Sequence, residues 1–303
     1  MTQQGANTIA MIRPAAFGYN EQTSRNNFFQ DSAQLNNAML QELALKQFDA
    51  SVELLRSHDI DVMILQDTIT PLKPDAVFPN NWFCCNNKTI SLFPMYSPNR
   101  RTEKSIAHIE AIKNKTGIKT IKDWTSYEGD GQYLEGTGSM IFDHVFRIIY
   151  ACNSERTNES LFKKFCSHNK FTPVLFSAAD ERGNEIYHTN VMMSVGKDFA
   201  VICLDAISNE IDKKIVVHEL ETSGHEIISI TQQQMRQFAG NMLFLINKKG
   251  ESLLLMSTTA LGSLSQDQVS SLQKHAIIIS PDVSHIEKAS GGSIRCMMAE
   301  LFY

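Results

Sequence analysis

Five polar residues recur along the 303-residue chain at a nearly constant spacing. Each stands just before a predicted strand, and successive members are 53 to 55 residues apart: Asn81, Glu135, His188, Asn241 and Cys296. A cysteine, a histidine and a carboxylate in one pocket can act as a covalent thiol catalyst, because the thiolate attacks, the imidazole moves protons and the carboxylate orients the imidazole. We therefore predict Cys296 as the nucleophile, His188 as the general acid/base and Glu135 as the orienting group.

A repeated order of elements must position these residues. Three stretches each predict a hairpin of two strands, then a helix, then a third strand: residues 139–178, 191–230 and 242–280. Turn residues such as Gly196-Lys197-Asp198 lie where the hairpins need them. Two further stretches follow the pattern less completely. They are residues 82–121 and residues 8–65, the latter with a long helix over residues 31–57.

The stretch at the front of the chain lacks its first strand, and the end of the chain supplies one. Residues 296–302 predict a strand that can pair with the strand at residues 8–12, which would close a ring of five units without exposed sheet edges. Residues at equivalent positions of such a ring converge on its axis, so Glu135, His188 and Cys296 are expected in one cavity. The sequence therefore predicts an α/β fold of five ββαβ units, in a single domain over residues 1–303.

The composition argues against several classes of protein. The chain has 43% hydrophobic and 20% charged residues, which is typical of a globular domain. Its formal net charge of −5 provides no broad cationic surface for nucleic acid. No apolar run approaches the roughly 18 residues that span a bilayer, and the N-terminus lacks a signal-peptide pattern. We expect a cytoplasmic protein that binds neither nucleic acid nor membranes.

The cysteine pattern does not indicate a metal site or a disulfide framework. The chain has six cysteines, and none belongs to a C-x-x-C pair or to a cluster with zinc spacing. Most are expected to be buried, reduced thiols. The sequence Gly136-Thr137-Gly138 is too short for a phosphate-binding loop. We therefore predict that the protein uses no metal and no cofactor.

Four motifs together resemble the guanidine-modifying superfamily, which includes arginine deiminases, dimethylarginine dimethylaminohydrolases and amidinotransferases. They occur in the same order as in that superfamily: Glu135 to Gly138, Ser154 to Asn158, His188 to Asn190 and Gly291 to Cys296. The resemblance covers essentially the whole chain and is strongest to the citrulline utilisation hydrolase branch. It implies a five-bladed α/β-propeller, the pentein fold, closed by pairing of the C-terminal and N-terminal strands.

Two positions depart from the superfamily pattern. Guanidine hydrolases of this type carry an Asp at the end of Phe-x-x-Asp and another in His-x-Asp, whereas this chain has Asn81 and Asn190 there. A carboxylate about 4 Å from a guanidinium gains on the order of 4 kcal/mol at an effective dielectric near 20, but beside a neutral ligand it would be a buried charge without a partner. An amide offers both a donor and an acceptor, which matches a ureido group. The substitutions favour L-citrulline as substrate, with ornithine, ammonia and carbon dioxide as products.

An amino-acid substrate also needs a partner for its α-carboxylate. Arginine suits this role because its planar fork binds a carboxylate through two hydrogen bonds. Arg156 and Arg101 stand at positions that resemble the carboxylate-binding arginines of the superfamily. For Arg100 and Arg101 the alternative is a solvated helix start. Asn241, at one of the five equivalent positions, is expected to contact the substrate, and a homodimer is compatible with the sequence.

Other functions remain open at this stage. An arginine or methylarginine deiminase would use the same three catalytic residues, although Asn81 and Asn190 count against it. An amidinotransferase would need room for an amine acceptor. The fold also hosts non-enzymatic ribosome-binding proteins, which lack the cysteine, histidine and glutamate that this chain has.

Overall fold

Five three-stranded sheets make up the β-structure of the described residues. The structure is a computed structural model, and it describes residues 3–30 and 36–303. The first two units contain β1 (Thr8–Arg13), α1 (Asn37–Ser57), β2 (Asp61–Gln66), β3 (Phe83–Asn86), β4 (Thr89–Leu92), α2 (Ile106–Thr116) and β5 (Thr120–Asp123). The third unit contains α3 (Gly136–Ser139), β6 (Ile141–Asp143), β7 (Ile148–Cys152), α4 (Glu159–Asn169) and β8 (Thr172–Phe176).

The last two units repeat this order. The fourth contains β9 (Met193–Val195), β10 (Phe199–Ile202), α5 (Glu210–Thr222) and β11 (Glu226–Ser229). The remaining elements are α6 (Gln232–Arg236), β12 (Leu243–Ile246), β13 (Ser252–Leu255), α7 (Thr258–Ser263), α8 (Gln266–His275), β14 (Ile277–Ile279), α9 (Ser284–Ser290) and β15 (Ala299–Glu300). The predicted recurrence of strand, strand, helix and strand is therefore present in units two to five.

Local sequence explains how a unit forms. In the second unit β3 and β4 pair antiparallel, and β4 pairs parallel with β5 after the crossover through α2. The turn between β3 and β4 holds Asn87 and Lys88, both at positive φ, as a tight two-residue hairpin turn requires. In the third unit Asn158 caps α4, because its side-chain oxygen accepts a hydrogen bond from the Leu161 amide.

The two ends of the chain meet in the first sheet. The strand β15 pairs antiparallel with β1, with Ile9 opposite Glu300 and Ala10 opposite Ala299. On its other side β1 pairs in parallel with β2. The predicted pairing of the C-terminal strand with the N-terminal strand is confirmed. Neighbouring units also contact each other, since β6 lies against β9, β9 against β12, and β15 against β3.

Several predicted boundaries differ from the structure. The helix predicted over residues 31–57 begins at Asn37, after the cap residue Asn36, and residues 31–35 lie outside the described part of the chain. The predicted strand over residues 296–302 is reduced to β15, because residues 294–297 form a short 3₁₀ helix. Over the residues described, we find no helix that combines the length and the apolar character needed to cross a bilayer.

Candidate active site

Residues from distant parts of the chain line one small cavity. Its free volume is about 20 Å³. The short helical turns of several units contact one another around it. The lining residues include Asn81, His188 and Cys296, from three of the five recurring positions. The full lining is Thr23, Asn27, Asp75, Phe78, Asn81, Arg100, Arg156, Tyr187, His188, Ser290, Gly292 and Cys296. The structure thus brings the predicted nucleophile and the predicted acid/base together.

Glu135 lies behind the imidazole of His188. Its Oε2 is 2.8 Å from Nε2 of His188, and both side chains are buried. Burial alone would raise the pKa of Glu135, but the charge of Arg156 and the hydrogen bond from His188 outweigh it and lower that pKa to about 2. A carboxylate can only accept, so Nε2 of His188 carries the proton and Nδ1 is left with its lone pair. Glu135 therefore fixes the tautomer of the imidazole.

His188 is held as a neutral base. Burial lowers its pKa to about 4, and the opposing hydrogen bond to Glu135 is not enough to restore it. Gly138, in α3, passes close to this ring, because a Cβ added at Gly138 would lie 2.8 Å from Nδ1 of His188 and 2.3 Å from Nδ2 of Asn81. The absence of a side chain at Gly138 makes room for both groups.

The sulfur of Cys296 accepts two amide hydrogen bonds. Nδ2 of Asn190 and Nδ2 of Asn241 each lie 3.3 Å from Sγ. Asn241 also donates to the carbonyl oxygen of Asn190 at 2.8 Å. Asn241, predicted to contact the substrate, is placed beside the sulfur and is not among the residues that line the cavity.

Asn81 and Asn190 each leave one polar atom unused. Oδ1 of Asn81 accepts a hydrogen bond from Arg100 at 2.8 Å, and Arg100 is itself held by both carboxylate oxygens of Glu103. Among the residues described, Nδ2 of Asn81 and Oδ1 of Asn190 are buried and have no hydrogen-bond partner. A guanidinium has only donors, so the Arg100 contact fixes which atom of Asn81 is free. Asn81 lines the cavity, whereas Asn190, also predicted to contact the substrate, lies beside the Cys296 sulfur and is not among the lining residues.

The two predicted carboxylate-binding arginines have different positions. Arg156 lines the cavity, with its guanidinium 4.8 Å from the centre of the Tyr187 ring and one nitrogen donating to the Thr23 carbonyl at 3.1 Å. Arg101 is not among the lining residues, because it turns towards the Met95 carbonyl and the carboxylate of Glu128.

Arg100 lines the cavity where Arg101 was expected. Its side chain is 3% exposed and its donors are used by Glu103, by Asn81 and by the Phe78 carbonyl. Arg100 is therefore a buried structural residue in this arrangement, and the solvated helix start considered for it from the sequence is wrong.

The comparisons with known proteins assign the chain to a family. Residues 13–303 match the family described as N,N dimethylarginine dimethylhydrolase, eukaryotic. The chain belongs to this family. It is therefore a member of the guanidine-modifying pentein superfamily, as its four motifs predict. No curated protein matches the chain.

Solved structures support the same fold. The N-terminal domain of ArgZ, an arginine dihydrolase of cyanobacteria solved with bound substrate, is 16% identical, with a TM-score of 0.75 over 98% of this chain and 99% of that one. AgrE with L-arginine is 15% identical, with a TM-score of 0.73 over 96% of this chain and 39% of that one. The DDAH of Pseudomonas aeruginosa with citrulline is 15% identical, with a TM-score of 0.66 over 97% of this chain and 99% of that one.

Asp75 is a cavity residue that the sequence analysis missed. It is 3% exposed, and its Oδ2 accepts hydrogen bonds from Nδ2 of Asn20 at 2.7 Å and from Oγ1 of Thr23 at 3.2 Å. Within the described residues its Oδ1 has no hydrogen-bond partner. Asp75 stands outside the 53-to-55-residue recurrence, so spacing could not find it. The sequence gives only a weak signal for it, a single acidic residue just before an apolar stretch.

Proposed function

We propose that this protein is a cysteine-dependent hydrolase that breaks a C–N bond at the terminal carbon of an arginine-type amino acid. The observation that carries the proposal is the shared cavity of Cys296 and His188, with Glu135 hydrogen-bonded to the far side of the imidazole. This arrangement supplies a nucleophile, a base with a free nitrogen and a fixed tautomer.

The reaction would proceed through a covalent adduct. The sulfur of Cys296 attacks the terminal carbon and forms a C–S bond, while His188 takes up the proton of the thiol. His188 then gives this proton to the departing nitrogen as the C–N bond breaks. His188 then removes a proton from water, which attacks the adduct and restores the free sulfur. Glu135 stabilises the imidazolium that forms transiently in each half-reaction.

Two charged residues are suited to the ends of such a substrate. Arg156 can receive the α-carboxylate through its planar fork, and the free Oδ1 of Asp75 can accept hydrogen bonds from a cationic group. In the present arrangement the guanidinium of Arg156 donates to Oδ1 of Asn26 and to the Thr23 carbonyl, so a substrate carboxylate would have to replace these acceptors.

The first candidate substrate is arginine or a methylated arginine. The family membership supports it, as do the arginine dihydrolase activity of ArgZ and the L-arginine bound to AgrE. The Oδ1 of Asp75, which has no hydrogen-bond partner among the described residues, also suits a cation, while Oδ2 faces the guanidinium of Arg100 at 4.0 Å.

The second candidate substrate is L-citrulline, with ornithine, ammonia and carbon dioxide as products. The free donor of Asn81 and the free acceptor of Asn190 favour it. A ureido group has a carbonyl oxygen to accept from Asn81 and N–H groups to donate to Asn190, whereas a guanidinium has no acceptor for Asn81.

A substrate panel tests both candidates. Purified protein is incubated with L-arginine, Nω,Nω-dimethylarginine and L-citrulline, and ammonia, dimethylamine, citrulline and ornithine are quantified. Citrulline accumulation from arginine supports a deiminase. Ornithine from citrulline supports the ureido reaction. Turnover only with an added amine acceptor would indicate an amidinotransferase and would contradict hydrolysis.

The variant Cys296→Ala is the control for the panel. It should abolish every product while circular dichroism and melting temperature stay close to those of the parent protein. Product formation by this variant, or three untouched substrates with the parent protein, would overturn the proposal.

A further inference from the structure

Thr189, the residue after His188, joins two units of the fold through its side chain. Its Oγ1 donates to the Ser139 carbonyl at 2.6 Å and accepts from the backbone N–H of Cys152 at 2.8 Å. Ser139 ends α3 and Cys152 ends β7, so both partners belong to the third unit, whereas Thr189 begins the turn over residues 189–191 that precedes β9 of the fourth. Thr189 is fully buried, and a buried polar group that loses its partner costs about 1–3 kcal/mol.

The residue before His188 is tied to the same unit. Oγ of Ser154 donates to the Tyr187 carbonyl at 2.9 Å and accepts from the backbone N–H of Arg156 at 3.2 Å. A hydroxyl group has one hydrogen and two acceptor lone pairs, so it can hold a carbonyl and an amide at the same time. The backbone on both sides of His188 is therefore attached to the third unit by a side-chain hydroxyl.

The third unit also holds the carboxylate that the imidazole meets. Oγ of Ser139 accepts from the backbone N–H of Glu135 at 3.0 Å. Oε1 of Glu135 accepts from the Tyr96 amide at 2.9 Å, and Oε2 faces Nε2 of His188 at 2.8 Å. Ser139 thus connects the two partners, because its side chain holds the backbone of Glu135 and its carbonyl holds Thr189.

We propose that Thr189, assisted by Ser154, is a positioning residue that sets the imidazole of His188 against the carboxylate of Glu135. The inference rests on the proposed function, in which His188 moves protons while Glu135 fixes its tautomer. Without the Thr189 hydroxyl, the turn over residues 189–191 can shift relative to α3. A misplacement of about 1 Å at a catalytic group can cost on the order of 10²-fold in rate.

The variant Thr189→Val removes the hydroxyl and keeps the shape of the side chain. The first readout is the Nε2–H signal of His188 in ¹H–¹⁵N spectra of protein with ¹⁵N-labelled histidine rings, assigned by its loss in His188→Gln. The parent protein should show this signal, because the proton is buried and bonded to Glu135. We expect Thr189→Val to broaden the signal or remove it, since a displaced ring exchanges this proton and mixes its tautomers.

The second readout is steady-state kinetics on the best substrate of the panel. We expect kcat of Thr189→Val to fall at least tenfold while KM changes by less than about twofold. The reason is that His188 acts in the chemical step, whereas Thr189 is not among the residues that line the cavity. Thr189→Ser keeps the hydroxyl and should retain both the NMR signal and kcat.

Thr157→Val is the matched control for the change from threonine to valine. Thr157 is also fully buried, but within the described residues its Oγ1 has no hydrogen-bond partner. The same change of atoms therefore removes no hydrogen bond, and this variant should match the parent protein in both readouts.

A second variant covers a failure of Thr189→Val to fold. Ser154→Ala removes the hydroxyl on the other side of His188, at a residue that is 9% exposed. Only the NMR signal is read for it, because Ser154 also contacts the backbone of Arg156. We expect the signal of His188 to broaden in this variant too.

A purely structural role for Thr189 predicts a different result. The melting temperature of Thr189→Val would fall while the Nε2–H signal and kcat stay as in the parent protein, and that result would overturn the proposal. A parent protein without the signal, or loss of it in Thr189→Ser, would overturn it as well. The NMR measurement needs no substrate, so it is separate from turnover. A signal that depends on Thr189, with no turnover on the substrate panel, would reject the proposed function and keep the positioning role.

Discussion

At the scale of the residue, Asn81 shows that a neighbouring contact decides what a side chain offers to a ligand. Asparagine has a donor and an acceptor, and the sequence does not say which of them is free. Arg100 takes the oxygen at 2.8 Å, so the nitrogen remains. The sequence predicted that an amide replaces a carboxylate at this position, and only the Arg100 contact gives that amide a direction.

Asn81→Asp should move the substrate preference towards guanidines. One carboxylate oxygen can keep the Arg100 contact, and the other replaces the free donor with a negatively charged acceptor. We expect the ratio of kcat/KM for arginine to kcat/KM for citrulline to rise at least tenfold, which corresponds to about 1.4 kcal/mol. Steady-state kinetics on both substrates measure it, and Asn209→Asp, at the exposed N-terminal cap of α5, is the matched amide-to-acid control. A ratio that stays constant or moves towards citrulline would contradict the interpretation of Asn81.

Sequence reasoning at this scale succeeds for some residues and fails for others. Glu135, His188 and Cys296 follow a regular spacing, so repetition alone brings them together. Arg100 and Arg101 are adjacent and chemically identical, and only the backbone path of residues 98–103 decides which one points inwards. Nothing in the sequence separates them.

At the scale of the element, short helical turns carry the site. The strands and long helices follow from hairpin turns and periodic apolar residues, and the prediction of them is largely correct. The turns over residues 79–81, 136–139, 189–191 and 294–297 are too short to show a periodicity. The sequence predicts no helical turn at any of these places and extends a strand to residue 296, although these turns place Asn81, Asn190 and Cys296.

Gly138→Ala tests how tightly one of these turns is packed against the site. The new methyl group would lie 2.3 Å from Nδ2 of Asn81 and 2.8 Å from Nδ1 of His188, so both side chains must move. A displacement of this kind can cost on the order of 10²-fold in rate. We expect a loss of about that size in kcat/KM, measured on the best substrate of the panel, with a melting temperature lowered by a few degrees.

The control for this prediction is Gly262→Ala in α7. Within the described residues, no atom outside the helix backbone and the two chain neighbours lies within 4 Å of the added Cβ, and alanine is favoured over glycine inside a helix by roughly 0.5–1 kcal/mol. Its activity should equal that of the parent protein and its stability should be the same or higher. Full activity in Gly138→Ala would show that the turn can relax and that the close approach is not required.

At the scale of the whole molecule, the spacing of the units predicts which residues meet. The five sheets and the pairing of β15 with β1 agree with the predicted repetition. Four expectations from the sequence remain predictions: closure of a propeller, a single domain over residues 1–303, a cytoplasmic location and a homodimer. Asp75 was missed because it belongs to a connecting segment, and connecting segments do not share the repeat.

Burial of titratable groups across the molecule predicts its response to acid. Burial, assisted by Arg147, lowers the pKa of His144 to about 3, and burial lowers that of His188 to about 4. An unfolded histidine titrates near 6.5, so between pH 6.5 and pH 4.5 the unfolded chain binds protons that the folded chain does not. Stability therefore falls as the pH falls, by about 1.4 kcal/mol per pH unit for each histidine. Glu135, with its pKa lowered to about 2, adds to this loss only below its ordinary value near 4.5.

His144→Phe should remove one of these contributions without emptying the space. The imidazole stacks on Phe142 at 5.2 Å and lies 4.5 Å from the Phe302 ring, so a phenyl group has aromatic neighbours ready. Urea unfolding at pH 7, 6 and 5 gives the free energy of unfolding of both proteins. We expect the free energy of unfolding of the variant to fall less steeply as the pH is lowered. The difference in slope should correspond to about one fewer proton taken up on unfolding. If the two proteins give parallel curves of unfolding free energy against pH, His144 takes up its proton equally in the folded and unfolded states. Its burial would then not govern the acid response.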